Sequence, residues 1–251
     1  MSRAVGVIPA RWGSTRLPGK ALVPLCGKPL IQWVWERAKS ASRLDRLLIA
    51  TDDDRIEEAV CGFGGVVART REDHPSGTDR VAEAVKDLDA DIVINIQGDE
   101  PMIHPALIDD LVDTLDVQGS EWDMVTAAQW LEDRAEALEP SVVKVVCASG
   151  GQALYFSRAP IPFIREETDI EDATRTYLKH VGIYGYRKPF LERLVRTAPS
   201  SLEQLEKLEQ LRALHIGGRI RVVMTDYPEI AVDEPKDVAL AEAALRSAGM
   251  A

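Results

Sequence analysis

Through its first hundred residues the chain alternates short, unbroken apolar runs with longer amphipathic stretches, and that rhythm admits few folds. Residues 4–10, 46–51, 66–68 and 91–97 read as strands, and 30–41, 53–61 and 78–88 as helices. The strands lack the in-out alternation of a sheet with one wet face, as expected where helices cover both faces of parallel strands. Strand–helix–strand repetition at this spacing predicts an α/β fold with a doubly wound, mostly parallel, Rossmann-like sheet. Past Asp116 the rhythm changes to strands at 124–128, 142–147, 153–157 and 180–186 with little helix between them. The chain closes with a helix at 202–214, a strand at 219–225 and a helix at 235–246. This second part reads as a smaller mixed α/β lobe, with no linker that would make it independent. Residues 165–175, charged and aperiodic, read as a mobile loop over a site.

Directly after the first strand comes Ala10-Arg11-Trp12-Gly13-Ser14-Thr15-Arg16-Leu17-Pro18-Gly19-Lys20. It falls at the carboxyl end of a strand, where open α/β sheets bind ligands. No acidic residue precedes Glu36, so Arg3, Arg11, Arg16, Lys20 and Lys28 form a positive island in a chain of net charge −11. Such an island suits a polyanion, most simply a nucleoside triphosphate. Two familiar phosphate loops fail on spacing. A P-loop needs four residues between its glycine and the Gly-Lys pair, followed by Ser or Thr. Here five residues separate Gly13 from Gly19, and Ala21 follows Lys20. The dinucleotide fingerprint Gly-x-Gly-x-x-Gly is absent too, which disfavours a redox enzyme.

The acidic balance argues against nucleic acid or an anionic membrane surface as partner. No apolar run reaches the length of a membrane helix. Cys26, Cys61 and Cys147 are few and widely spaced, without a zinc pattern, and fit a reducing cytoplasm.

Two aspartates stand out. Asp99 follows the strand at 91–97, and Asp233 follows the apolar residues 230–232. Each either contributes to a magnesium site, which takes one or two carboxylates plus phosphates, or caps a following helix. His180, Gly182, Tyr184 and Tyr186 share one face of a strand, and Gly182 either opens room for a ligand or marks a bulge. In the helix at 202–214, Glu209 lies within about 20° of Leu202 and 40° of Leu205 around the axis. A carboxylate inside that apolar stripe either meets a partner or frays to solvent at the stripe's edge. Ser76 and Thr78 are candidate caps after the third strand. His74, His104 and His215 read as surface residues.

Taken in order, the loop above and six further blocks resemble the family of 3-deoxy-manno-octulosonate cytidylyltransferases, which activate an acidic sugar with CTP. The blocks are Pro75-Ser76-Gly77-Thr78-Asp79-Arg80, Gln97-Gly98-Asp99-Glu100-Pro101, Ala153-Leu154-Tyr155-Phe156-Ser157-Arg158, His180-Val181-Gly182-Ile183-Tyr184-Gly185-Tyr186, Leu208-Glu209-Gln210-Leu211-Arg212 and Val232-Asp233-Glu234-Pro235. One departure is Trp12, where the family more often carries Tyr. The resemblance implies a single nucleotidyltransferase domain over 1–251, with a nucleotide-binding half at 1–120 and a sugar-binding and dimerisation half at 121–251. It implies that Ala10, Arg11, Gly13, Ser14, Arg16, Lys20, Arg71, Ser76, Gly77, Arg80 and Gln97 bind the nucleotide. It places Mg2+ on Asp99 and Asp233, which with Lys20 and Arg11 would carry catalysis. It assigns the sugar to Arg158, His180, Tyr184, Glu209 and Gln210, with Arg158 as the fork for the sugar carboxylate. The partners implied are CTP and an acidic eight-carbon sugar, the assembly a cytoplasmic homodimer, and the product a precursor of the lipopolysaccharide inner core. The 8-amino analogue, N-acylneuraminate and a non-catalytic nucleotide-binding module are the alternatives.

Overall fold

The computed structural model describes residues 2–13, 16–117, 121–166 and 176–251. Two compact units emerge, one of Met1–Asp116 with Tyr227–Ala251 and one of Val117–Asp226.

The first unit opens with β1 (Ala4–Pro9), the short hairpin β2 (Pro24–Leu25) and β3 (Lys28–Pro29), and α1 (Leu30–Lys39). Then follow β4 (Arg46–Thr51), α2 (Asp54–Gly62), β5 (Val67–Arg69), α3 (Gly77–Ala84), β6 (Ile92–Asn95) and α4 (Pro105–Asp116). β1 pairs in parallel with β4 on one side and β6 on the other, and β4 pairs in parallel with β5. The apolar runs are therefore buried on both faces: Val7, Ile8, Ile49, Ala50, Ile92 and Ile94 are inaccessible to solvent. All four strand ends point their carboxyl termini the same way, so the loops after β1, β4, β5 and β6 share one edge.

The second unit contains β7 (Met124–Trp130), β8 (Lys144–Cys147), β9 (Ala153–Ser157), β10 (Leu178–Arg187), α5 (Lys188–Val195), α6 (Ser201–Glu206), α7 (Gln210–His215) and β11 (Ile220–Met224). β7 pairs in parallel with β11 and antiparallel with β10, while β8 pairs antiparallel with both β10 and β9. The mixed sheet expected here is present. The chain then returns to the first unit with α8 (Pro235–Ser247).

Two readings need correction. Residues 227–251, Asp233 among them, group with the N-terminal unit and not with the half expected at 121–251. The helix expected at 202–214 is broken at Lys207, which takes a left-handed φ of 55° between α6 and α7. Leu202 and Leu205 are consequently 44% and 80% exposed, so no apolar stripe surrounds Glu209, itself exposed. Nine of the eleven residues of the loop expected at 165–175, those at 167–175, lie outside the described residues.

Candidate active site

In the first unit the loop after β1 is closed by the Gly19 N–H, which donates to the Trp12 carbonyl at 3.1 Å. Gly19 has φ 66°, and a Cβ there would meet the Trp12 ring at 2.9 Å, so both backbone shape and contact require glycine. The Arg55 guanidinium lies over the same ring, 3.4 Å from its centroid. The aromatic residue that departs from the family pattern thus packs the loop. Gly19 leads into a single 3-10 turn, Lys20–Leu22, which directs Lys20 across the strand ends.

There Lys20 meets both aspartates. Its Nζ donates to Asp99 Oδ2 at 2.6 Å and to Asp233 Oδ1 at 3.0 Å, and Arg16 Nη2 lies 3.1 Å from the same Asp233 oxygen. A backbone bond brings the two acids together, the Val232 N–H donating to the Asp99 carbonyl at 2.9 Å. The Asp237 carboxylate accepts the N–H groups of Asp233 and Glu234, at 2.9 and 2.8 Å, and so holds that segment at the start of α8. Gly98 passes close under the end of β1, where a Cβ would come 3.0 Å from the Pro9 carbonyl. Burial alone would lower the Lys20 pKa, but Asp99 and then Asp233 outweigh it and raise it above the ordinary lysine value. Lys20 is a fixed cation across the working pH range.

The remaining nucleotide candidates divide. Gly77 sits at the start of α3 with its Cα side facing Pro9, 3.7 Å away for an added Cβ, so the Ser76–Gly77 turn adjoins the end of β1. Ser76 caps α3 through Asp79, accepting its N–H at 3.3 Å and donating to its carboxylate at 2.7 Å. Ala10 is buried, and Arg11 and Gly13 are exposed. Gln97 follows β6, with its amide at 3.5 Å from Asn95. Arg71 is exposed beside Glu83, whose carboxylate accepts its N–H at 3.0 Å. Arg80 is buried, and its guanidinium is engaged by Asp52 at 2.6 Å and by Thr70 at 2.5 Å. It ties α3 to the ends of β4 and β5 from within. Ser14 lies outside the described residues. His74 is not a surface residue, since its side chain is buried against Glu83, and His104 stacks on Tyr227 at 3.6 Å.

The second unit assembles the sugar candidates. β10 bulges between Val181 and Tyr184, the alternative considered for Gly182, yet two residues are inserted and the alternation survives. The rings of His180, Tyr184 and Tyr186 therefore adjoin along one face, at 5.5 and 6.2 Å. His180 is buried, and desolvation pushes its pKa down to about 3. Its Nε2 lies 2.9 Å from Thr126 Oγ1, and that hydroxyl donates to the Ile183 carbonyl at 2.7 Å. A hydroxyl has one proton to give, so the His180 Nε2–H must donate to it, leaving Nδ1 as an acceptor. Gln210 is buried with its Oε1 3.4 Å from the Tyr184 hydroxyl, and its Nε2 has no hydrogen-bond partner among the described residues. An orphaned buried donor beside Tyr184 is a ready hydrogen-bond site for a polar ligand.

Arg158 is braced by its neighbours: Nε donates to the Glu206 carbonyl at 2.7 Å and Nη1 to the Pro140 carbonyl at 2.8 Å. The Glu206 carboxylate accepts from Ser157 Oγ at 2.6 Å and from the Arg158 N–H at 2.9 Å. Lys144, wholly buried, donates to the carbonyls of Val142 and Arg158, both at 2.6 Å, and of Glu139 at 3.1 Å. Burial, with Arg158 nearby, lowers its pKa. Glu206, Lys144 and Thr126 escaped the sequence reading because none sits in a recognisable pattern.

A family model described as cytidylyltransferase matches residues 5–220. A 3-deoxy-manno-octulosonate cytidylyltransferase of Pelobacter propionicus is 49% identical over 247 residues, covering 96% of each chain. The chain belongs to the 3-deoxy-manno-octulosonate cytidylyltransferase family. Within the same similarity range, an 8-amino-3,8-dideoxy-manno-octulosonate cytidylyltransferase of Shewanella halifaxensis is 46% identical over 242 residues, covering 95% of this chain and 97% of its own. Among solved structures, CMP:2-keto-3-deoxy-manno-octonic acid synthetase complexed with CTP superposes with a TM-score of 0.92 at 44% identity, covering 98% of this chain and all of that one. The α/β fold with its largely parallel sheet is the fold of that family, and the chain is an enzyme of the cytidylyltransferase class.

His180 also yields a pH prediction. Below its ordinary pKa near 6.5 the unfolded chain takes up a proton that the folded imidazole refuses until about 3. Stability from this group is therefore lost as pH falls, by about 2 kcal/mol between pH 7 and pH 5. Urea unfolding of the wild type and of His180→Gln at those two pH values should show the variant less acid-sensitive by that amount. An equal loss in both proteins would refute the assignment.

Proposed function

We propose that this chain transfers CMP from CTP to 3-deoxy-manno-octulosonate, releasing pyrophosphate and supplying the activated sugar for lipopolysaccharide synthesis. The observation that carries this reading is Lys20 held between Asp99 and Asp233 at 2.6 and 3.0 Å, at the end of a strand followed by a cationic loop. The relatives named above act on this sugar and its 8-amino analogue, and the solved neighbour binds CTP.

The anomeric 2-hydroxyl attacks the α-phosphorus in line as pyrophosphate leaves, a reaction that asks the protein mainly for positioning and charge neutralisation. Lys20, Arg16 and Arg11 meet the triphosphate and the charge growing on the leaving group. Ser76 and Gly77 line the nucleotide side. Arg158 receives the sugar carboxylate, with Gln210 Nε2 and the Tyr184 hydroxyl offered to sugar hydroxyls, and the neutral His180 presents Nδ1 as an acceptor. Glu209, exposed at the start of α7, is a further hydroxyl partner.

Asp99 and Asp233 suit Mg2+: they are two hard carboxylates without a third acidic, His or Cys ligand among the described residues. That set is too small for a dedicated cage and right for an ion that brings water and phosphate oxygens with it. Bound there, magnesium would neutralise phosphate charge and polarise the phosphoryl oxygen.

Among the described residues no helix is long and apolar enough to cross a membrane, and Cys26, Cys61 and Cys147 are free thiols, which supports a reducing, cytoplasmic setting. Exposed Trp130, Leu138 and Leu154 in the second unit support a homodimer.

Pyrophosphate release with CTP and Mg2+ tests the reading against three sugars: 3-deoxy-manno-octulosonate, its 8-amino analogue and N-acetylneuraminate. The first is expected to lead in kcat/KM by about 10–100-fold. A lead for either of the others would reassign the substrate. Absence of pyrophosphate with all three would leave a nucleotide-binding module.

A further inference from the structure

The two aspartates assigned to the metal are already neutralised. Lys20 Nζ contacts both, at 2.6 and 3.0 Å, and Arg16 adds a second cation 3.1 Å from Asp233. Two carboxylates thus face two cations, and the Lys20 ammonium sits between the oxygens that a divalent ion would need. Its side chain is 20% exposed and those of Asp99 and Asp233 are 25% and 37%, so the three groups share a partly desolvated spot where their interaction is only weakly screened.

We infer that Lys20 is a resident counter-ion of the Asp99 and Asp233 pair, so that the protein excludes a bare divalent cation and admits it only together with the triphosphate. A bare ion must break three ion pairs and then lie beside two positive side chains. An ion that arrives with the nucleotide brings phosphate oxygens to which Lys20 and Arg16 transfer, so neither cation is left uncompensated beside the ion. Trp12, packed by Gly19 and Arg55, holds the loop that carries Lys20, so the transfer asks only for swings of the Lys20 and Arg16 side chains. By linkage the cation and CTP must then raise each other's affinity by the same factor. This inference rests on the metal site proposed above.

The probe is Mn2+, with free ion followed by its paramagnetic resonance signal in the absence and presence of CTP. In the wild type, saturating CTP is expected to tighten Mn2+ binding by at least about tenfold. Lys20→Met is expected to bind Mn2+ alone about tenfold more tightly than wild type and to show a smaller gain from CTP, while Lys20→Arg, which keeps the charge, stays near wild type. Nucleotide-free Mn2+ affinity that is unchanged or weaker in Lys20→Met overturns the inference. So does an absence of coupling between Mn2+ and CTP in the wild type, a measurement that needs no variant to fold. Asp99→Asn separates the two levels. If it abolishes Mn2+ binding while Lys20→Met gains nothing, only the counter-ion role fails. If it leaves Mn2+ binding intact, the metal site itself is misplaced and both readings fall.

Discussion

Lys20→Ala is expected to lower kcat by about 10²–10³-fold while the chain stays folded. Among the described residues Lys20 is the one cation placed against both aspartates, and its raised pKa keeps it charged wherever the enzyme works. Loss of a preorganised cation removes stabilisation of charge that develops only as pyrophosphate departs, so the effect should fall on kcat more than on the KM for CTP. Lys28→Ala provides the contrast, because that ammonium is spent on Glu36 at 2.7 Å. Its kcat should stay near wild type. Pyrophosphate release under steady-state conditions reads both, with circular dichroism to check the fold. Turnover of Lys20→Ala close to wild type would remove Lys20 from the chemistry.

The largest stability effect is expected at Glu203. Its carboxylate accepts from Arg212 Nε at 2.8 Å and from Arg212 Nη2, and both residues are buried, at 7% and 8% exposure. The same carboxylate accepts the Ser200 N–H at 3.1 Å, closing the box that starts α6, while Ser200 Oγ accepts the Glu203 N–H. Glu203→Ala takes the carboxylate from a buried guanidinium and opens the cap, at a cost of about 3–5 kcal/mol. Replacing both partners, Glu203→Leu with Arg212→Met, should recover most of that loss, since two apolar side chains need no partner. Urea unfolding midpoints for the three proteins decide it; a double variant as unstable as Glu203→Ala would point to packing instead of charge. Because the pair fastens α6 to α7, and Gln210 opens α7, Glu203→Ala should also raise the sugar KM.

Much of this site was legible in the chain itself. The strands after which its loops lie announce themselves as apolar runs without alternation, and Gly19 is required by a positive φ that few other residues tolerate. The box at Ser200 and Glu203 is equally a local signature, Ser-x-x-Glu, at the start of what reads as one longer helix. Lys207 is the reason. Lysine is a good helix former and carries no signal for the left-handed turn it adopts, so the periodic stripe through Leu202, Leu205 and Glu209 runs straight across the break. Arg80 shows a related ambiguity: a guanidinium suits a phosphate and a half-buried aspartate equally well, and residue type alone does not choose.

Local chemistry, then, determined the elements: which stretches are strand, which glycine turns, which cap begins a helix. Those preferences act over a few residues, through sterics and hydrogen bonds between neighbours. The tertiary structure decided the company each side chain keeps. Lys20 and Asp233 are 213 positions apart, and they meet because a parallel sheet lines up its strand ends and one backbone bond, from Val232 to Asp99, draws the returning segment alongside. No local propensity encodes such a meeting, since its free energy is realised only when the whole unit is folded.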